Sequence, residues 1–142
     1  MPIRLEIVTA ERTVLSDDVD MVNVPAIGGR MGILPRHEPV LTMLVPGEMT
    51  IVKRGERIPF AVSGGFLEVL PDRVTILADT AERADEIDEA RAEQARRRAE
   101  EALRERKSAE EVAAAEAQLR RALVRLRVAR MRRDRGQRHI SE

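Results

Sequence analysis

The chain has no cysteine, which excludes disulfides, thiolate zinc sites and cysteine nucleophiles. Tryptophan and tyrosine are also absent. Two phenylalanines are the whole aromatic complement, so platforms for stacking bases or sugars are not expected. Long apolar runs are missing: stretches without a charged residue reach only nine or ten positions, as in Ile58 to Leu67, whereas a membrane-spanning helix needs about 20. No basic-then-apolar leader opens the sequence, so the chain is expected to be soluble and not exported. Net charge is lacking as well. Lys and Arg number 25, as do Asp and Glu, a balance that argues against a general polyanion binder but can hide opposed halves.

What is present is unevenly distributed along the 142 residues. All seven Pro lie between Pro2 and Pro71, seven of the eight Gly lie between Gly28 and Gly65, and every Thr lies at or before Thr80. Beyond that point come 14 Ala among many Glu and Arg. Pro and Gly punctuate strands and turns, while Ala, Glu, Arg and Leu are the strongest helix formers. The fold class is therefore α+β, with a β-sandwich domain over residues 1–84 followed by an antiparallel two-helix hairpin over 85–142. Charge divides in the same way: residues 1–80 hold 8 basic and 11 acidic groups, residues 81–142 hold 17 and 14.

Alternation of apolar and polar residues predicts strands at Ile3–Val8 and Val19–Val24. A further pair runs from Gly47 to Phe60 around an Arg54-Gly55-Glu56 turn, and another occupies Gly65–Leu70 and Arg73–Ala78 around Pro71-Asp72. In the second part, Asp85 is placed to cap a helix with an apolar stripe of Ile87, Ala92, Ala95, Ala99 and Leu103. Ser108 and Glu111 have capping-box spacing ahead of a second stripe at Ala115, Leu119, Ala122, Leu126 and Ala129. Alanine brings helix backbones close but buries little area, which predicts a weakly held hairpin that can open. The tail from Asp134, containing Gly136, is expected to fray.

No self-sufficient active site is visible. His37, beside Glu38, lacks a nucleophile or metal partners and reads as a loop histidine bonded to nearby backbone. Asp17-Asp18-Val19-Asp20 lacks the Gly and terminal Glu of a calcium loop and reads as a solvated turn. Ser63-Gly64-Gly65 reads as a β-turn. The arginines of the second helix form a stronger signal. From Arg120 to Arg135 eight arginines have only Asp134 as acidic company, and Arg121, Arg125 and Arg132 fall on one face, which suits an acidic partner.

Gly32-Ile33-Leu34-Pro35-Arg36-His37-Glu38-Pro39, Pro46-Gly47 and Ala61-Val62-Ser63-Gly64-Gly65-Phe66-Leu67-Glu68-Val69 strongly resemble the epsilon subunits of F-type ATP synthases. The order of parts agrees with that family over the whole chain. The resemblance implies a non-catalytic central-stalk subunit that couples proton flow to ATP synthesis. Its implied partners are the gamma subunit, the membrane-embedded c-ring, and the alpha and beta subunits when the hairpin is extended. Its implied place is the cytoplasmic face of a bacterial cell membrane, held there only through the complex. Extension of the hairpin would hinder ATP hydrolysis, with Arg121, Arg125, Arg127, Arg130 and Arg132 matching the basic helix that meets an acidic segment of beta.

Ile87-Asp88-Glu89-Ala90-Arg91-Ala92 also matches a pattern that binds ATP in some bacterial members. Carried over by position, Ile87, Asp88, Arg91 and Ala92 fit it, and Glu82, Arg98, Arg121 and Arg125 occupy the places of other contacting groups. No cofactor is required, and ATP enters only as a regulatory ligand. Two positions depart from the family pattern: Gly28-Gly29-Arg30-Met31 stands where an acidic residue is more usual, and Arg36 where a small residue often sits. A nucleic-acid-binding protein acting through the Arg-rich helix is the alternative reading. The acidic first part and the lack of aromatics weigh against it, so no nucleic-acid partner is expected.

Overall fold

A computed structural model describes residues 2–105 and 108–140, with the side chains of 132–140 excepted. The chain divides into two compact units, Met1–Arg83 and Ala84–Glu142.

The first unit is a β-sandwich of eight strands: β1 (Ile3–Val8), β2 (Thr13–Val19), β3 (Met21–Ala26), β4 (Gly29–Ile33), β5 (Val40–Lys53), β6 (Glu56–Val69), β7 (Arg73–Ala78) and β8 (Ala81–Arg83). Their order is β2-β1-β7-β6-β5-β3-β4, with β8 paired to β6. All pairings are antiparallel except β1 with β7. The long β5–β6 hairpin spans both layers. Near its open end, Gly65 to Val69 of β6 pair with β7; nearer the turn, Phe60 to Val62 pair with β8. On β5, the stretch near the turn pairs with β3.

The turn itself is the two-residue loop Arg54-Gly55, both with positive φ (53° and 77°), as a type I′ hairpin requires. Asp20 fixes it by accepting a hydrogen bond from the Arg54 backbone nitrogen at 2.9 Å, and Asp17 pairs with the neighbouring Lys53. The acidic run is therefore not a solvated turn. Asp17 and Asp18 lie within strand β2, and they bind Lys53 and Arg4 across strand boundaries.

Ser63-Gly64-Gly65 is likewise not a turn but part of β6. The ladder keeps a single register through it, with Leu44 opposite Gly65 and Pro46 opposite Ser63. Gly65 has φ of 137°, and a Cβ there would lie 2.1 Å from the carbonyl oxygen of Leu77. Only glycine allows β7 to approach so closely. Strand alternation then fills the interior. Leu5, Ile7, Val22, Val24, Ile33, Met49, Ile51, Phe60, Leu67 and Ile76 are all fully or almost fully buried. Arg36, with φ of 64°, donates its backbone N–H to the Pro71 carbonyl at 3.1 Å. A left-handed conformation explains why a small residue would fit that position more easily.

The second unit opens with a 3-10 turn, Ala84–Glu86, followed by α1 (Glu89–Arg104) and α2 (Ala109–Ile140). The cap of α1 is Asp88, one turn later than Asp85. Ser108 caps α2 as its spacing predicts, accepting from the Glu111 backbone nitrogen at 3.2 Å. The two helices pack together through small residues: Ala92, Ala99, Ala115, Ala122 and Ala129 are buried, with Leu126 among them, while Ala95 and Leu103 are half-buried. Val124 and Val128 are buried as well, outside the predicted stripe. The helix continues through Gly136 to Ile140 rather than ending near Asp134.

Candidate docking and regulatory surfaces

On the outer face of the sandwich, three apolar side chains lie side by side on adjacent strands. Met43 of β5 stands opposite Phe66 of β6, and Phe66 stands opposite Leu77 of β7. Their exposures are 49%, 51% and 52%, and Leu41, two residues from Met43 on the same face of β5, reaches 75%. A contiguous apolar row across three strands is the mark of a surface another protein covers. The sequence reading missed it. Its signal was present in Arg73-Val74-Thr75-Ile76-Leu77-Ala78, where Leu77 takes a position the alternation reserves for polar residues.

His37 is half-buried in the loop between β4 and β5, and its Nδ1 lies 2.7 Å from the Glu38 carbonyl oxygen. It thus has the backbone partner expected of a loop histidine.

Most of the residues matched to the nucleotide pattern belong to the helical unit. Glu82 does not: it lies in β8 of the sandwich, opposite Ala61. Ile87 and Ala92 are buried in the hairpin, at 8% and 0% exposure. Asp88 uses Oδ1 to accept the Arg91 backbone N–H at 3.1 Å, while Oδ2 lies 3.8 Å from Arg91 Nε. Capping therefore accounts for Asp88, and the i,i+3 ion pair for the arginine that follows it. Arg91, Arg98 and Arg121 are exposed, and Arg125 is half-buried. Arg130 Nε of α2 lies 3.8 Å from Glu89 Oε1 of α1, which fixes the antiparallel register of the helices.

Further along α1, four charges pair with one another. Arg96 binds both Glu93 and Glu100, and Arg97 Nε lies 3.6 Å from Glu93. The hydrogen bond from Arg96, with the charges of Arg96, Arg97 and Arg130, holds the Glu93 carboxyl below its ordinary range against the opposing effect of desolvation. The same pairing raises the affinity of Arg96 for its proton. On α2, Arg121, Arg127 and Arg130 are exposed, whereas the side chain of Arg132 lies outside the described residues. Among the described residues, no helix is long and apolar enough to cross a membrane.

A β-sandwich with an apolar outer row, joined to an Ala-seamed helical hairpin with a basic face, defines a docking subunit of a larger assembly. A family described as "ATP synthase, Delta/Epsilon chain, beta-sandwich domain" matches residues 2–84, and "ATP synthase, Delta/Epsilon chain, long alpha-helix domain" matches residues 85–130. The ATP synthase epsilon chain of Herpetosiphon aurantiacus is 69% identical over 135 residues, covering 95% of this chain and 99% of the relative. That of Chloroflexus aggregans is 68% identical over 131 residues, covering 92% and 94%. The chain belongs to the epsilon subunits of the F-type ATP synthase, and is thus a non-catalytic stalk subunit of that complex. The fold also resembles a chain in the cryo-EM structure of the Euglena gracilis mitochondrial ATP synthase, with a TM-score of 0.74 and 24% identity over 84% of this chain and 76% of that one.

Proposed function

We propose that the sandwich joins the rotating gamma subunit and the membrane-embedded c-ring, coupling proton flow to ATP synthesis, while the hairpin restrains ATP hydrolysis. The observation that carries the regulatory half is the seam of the hairpin. Its buried residues include Ala92, Ala99, Ala115, Ala122 and Ala129, each of which buries little apolar area, and α1 itself buries nothing larger than alanine. Such a seam holds two helices together with a free energy small enough for a partner or ligand to reverse.

In the extended form, Arg121, Arg125, Arg127, Arg130 and Arg132 meet an acidic segment of the beta subunit, near alpha, and oppose hydrolysis. In the folded form, ATP is held by Asp88, Arg91, Arg98, Arg121 and Arg125, with Ile87 and Ala92 beside it, and the ligand favours closure because it binds both helices. The subunit works on the cytoplasmic side of a bacterial cell membrane, bound there through the complex. Relatives at 68–69% identity that carry the epsilon-chain name support this reading.

Truncation tests it. A chain ending at Ala84 should fold, assemble with the rest of the complex and sustain ATP synthesis, while ATP hydrolysis rises above that of the complex with the full chain. Assembly with unchanged hydrolysis would remove the inhibitory role, and failure to assemble would remove the docking role of the sandwich.

A further inference from the structure

On α2, the large apolar side chains Val124, Leu126 and Val128 are buried. Leu123 keeps 45% of its surface exposed and is the one exposed large apolar residue of the helical unit among the described residues. Steps of three, four and three along the helix place Arg120, Leu123, Arg127 and Arg130 on one outer stripe, and all four are exposed. Arg130 turns to Glu89 of α1, which leaves Leu123 flanked by Arg120 and Arg127. Helix propensity does not demand a leucine there, since Arg, Gln and Glu are nearly as good helix formers and suit water better.

Exposed ion pairs contribute about 0–1 kcal/mol each and are screened by physiological salt over about 8 Å. Interface energy concentrates instead in an apolar centre ringed by polar contacts. The stripe has that layout, with a cationic rim complementary to an acidic partner. We propose that Leu123 is the apolar anchor of this face. Arg120 and Arg127 receive two carboxylates of an acidic protein segment, and Leu123 receives an apolar side chain lying between them. This rests on the reading that α2 meets an acidic segment, and adds that the segment is recognised by its apolar residue as well as its charge.

The experiment compares ATP hydrolysis by the whole complex assembled with full-length wild type, Leu123→Gln, Leu123→Met, and Arg120→Ala with Arg127→Ala, at low and high salt. Glutamine keeps helix propensity, and circular dichroism of each chain confirms equal helix content. Leu123→Gln should weaken inhibition roughly five- to tenfold at both salt concentrations. Leu123→Met should restore it, and the double arginine variant should lose inhibition chiefly at low salt. Wild-type inhibition in Leu123→Gln, with loss in the arginine variant, would overturn the anchor and leave the acidic-segment reading standing. Wild-type inhibition in both variants would overturn that reading too. Relief of inhibition by pyrophosphate at constant ionic strength, with Leu123→Gln unchanged, would assign the face to a phosphate ligand and overturn the anchor.

Discussion

Asp88 and Arg91 are joined twice: Oδ1 of Asp88 accepts the Arg91 backbone N–H at 3.1 Å, and Oδ2 lies 3.8 Å from Arg91 Nε. One carboxylate thus starts α1 and orients the first arginine of the nucleotide pattern. Asp88→Ala should cost about 1 kcal/mol of hairpin stability, and Asp88→Asn, which can still cap, much less. Thermal melts of the full chain measure both. In calorimetric titration with magnesium and ATP, Asp88→Asn should bind less tightly although it melts like wild type. Equal affinity would confine Asp88 to capping.

Replacing Arg121 and Arg125 together with Ala should weaken ATP binding at least about tenfold, given what hydrogen bonds to charged groups contribute. Arg121→Ala alone is the cleaner variant, because Arg121 is exposed while Arg125 is half-buried. Unchanged affinity in the double variant would remove both residues from the site.

Phe66 is the middle member of the apolar row, with Met43 on one side and Leu77 on the other. Phe66→Ser should change sandwich stability by about 1 kcal/mol or less, the scale of a cross-strand pair at a surface. Co-purification with the other subunits should nonetheless fall sharply. A variant that assembles as wild type does would show that the row is not the docking surface.

Asp17 is held below its ordinary value of 3.8, first by the hydrogen bond from Lys53 and then by the backbone N–H of Asp18. A depressed carboxyl stabilises the fold fully above its ordinary value and loses that contribution as pH falls through the lowered one. Lys53→Met should therefore melt earlier than wild type at neutral pH, with the gap closing in strong acid. The pair is only half-buried, so added salt should narrow the gap too. A gap independent of pH would point to lost packing of the lysine stem.

The sequence made β1 and β7 legible because their alternation is strict and one face is buried: Ile3, Leu5 and Ile7 on one, Val74, Ile76 and Ala78 on the other. Strand β2 was not legible. Its Thr-Val-Leu-Ser-Asp-Asp-Val composition belongs to an edge strand whose polar groups bind neighbours by ion pairs, a pattern local alternation does not encode. At Ser63-Gly64-Gly65 the glycines did require positive φ, but the cause was close approach of β7 within a continuous strand, information held by residues Leu77 and Ala78. The cap of α1 was displaced by one turn because Asp85, Glu86 and Asp88 offer competing acceptors, and only packing decides among them. The arginines were evident from composition. Their depth was not, since Arg125 and Arg121 differ in burial although both lie on one predicted face.

The β5–β6 hairpin has a consequence for the order of events during folding. Its ladder, from Lys53 opposite Glu56 to Val40 opposite Val69, closes outward from a two-residue loop and so joins residues near one another in the chain. The parallel pair of β1 and β7 instead brings the start of the sandwich to its far end. Closing that long loop loses much more chain entropy before any contact compensates it. A ribosome releasing this chain would thus present the hairpin as a template first. The N-terminal strand, synthesised earliest, would wait for β7 to emerge before finding its place.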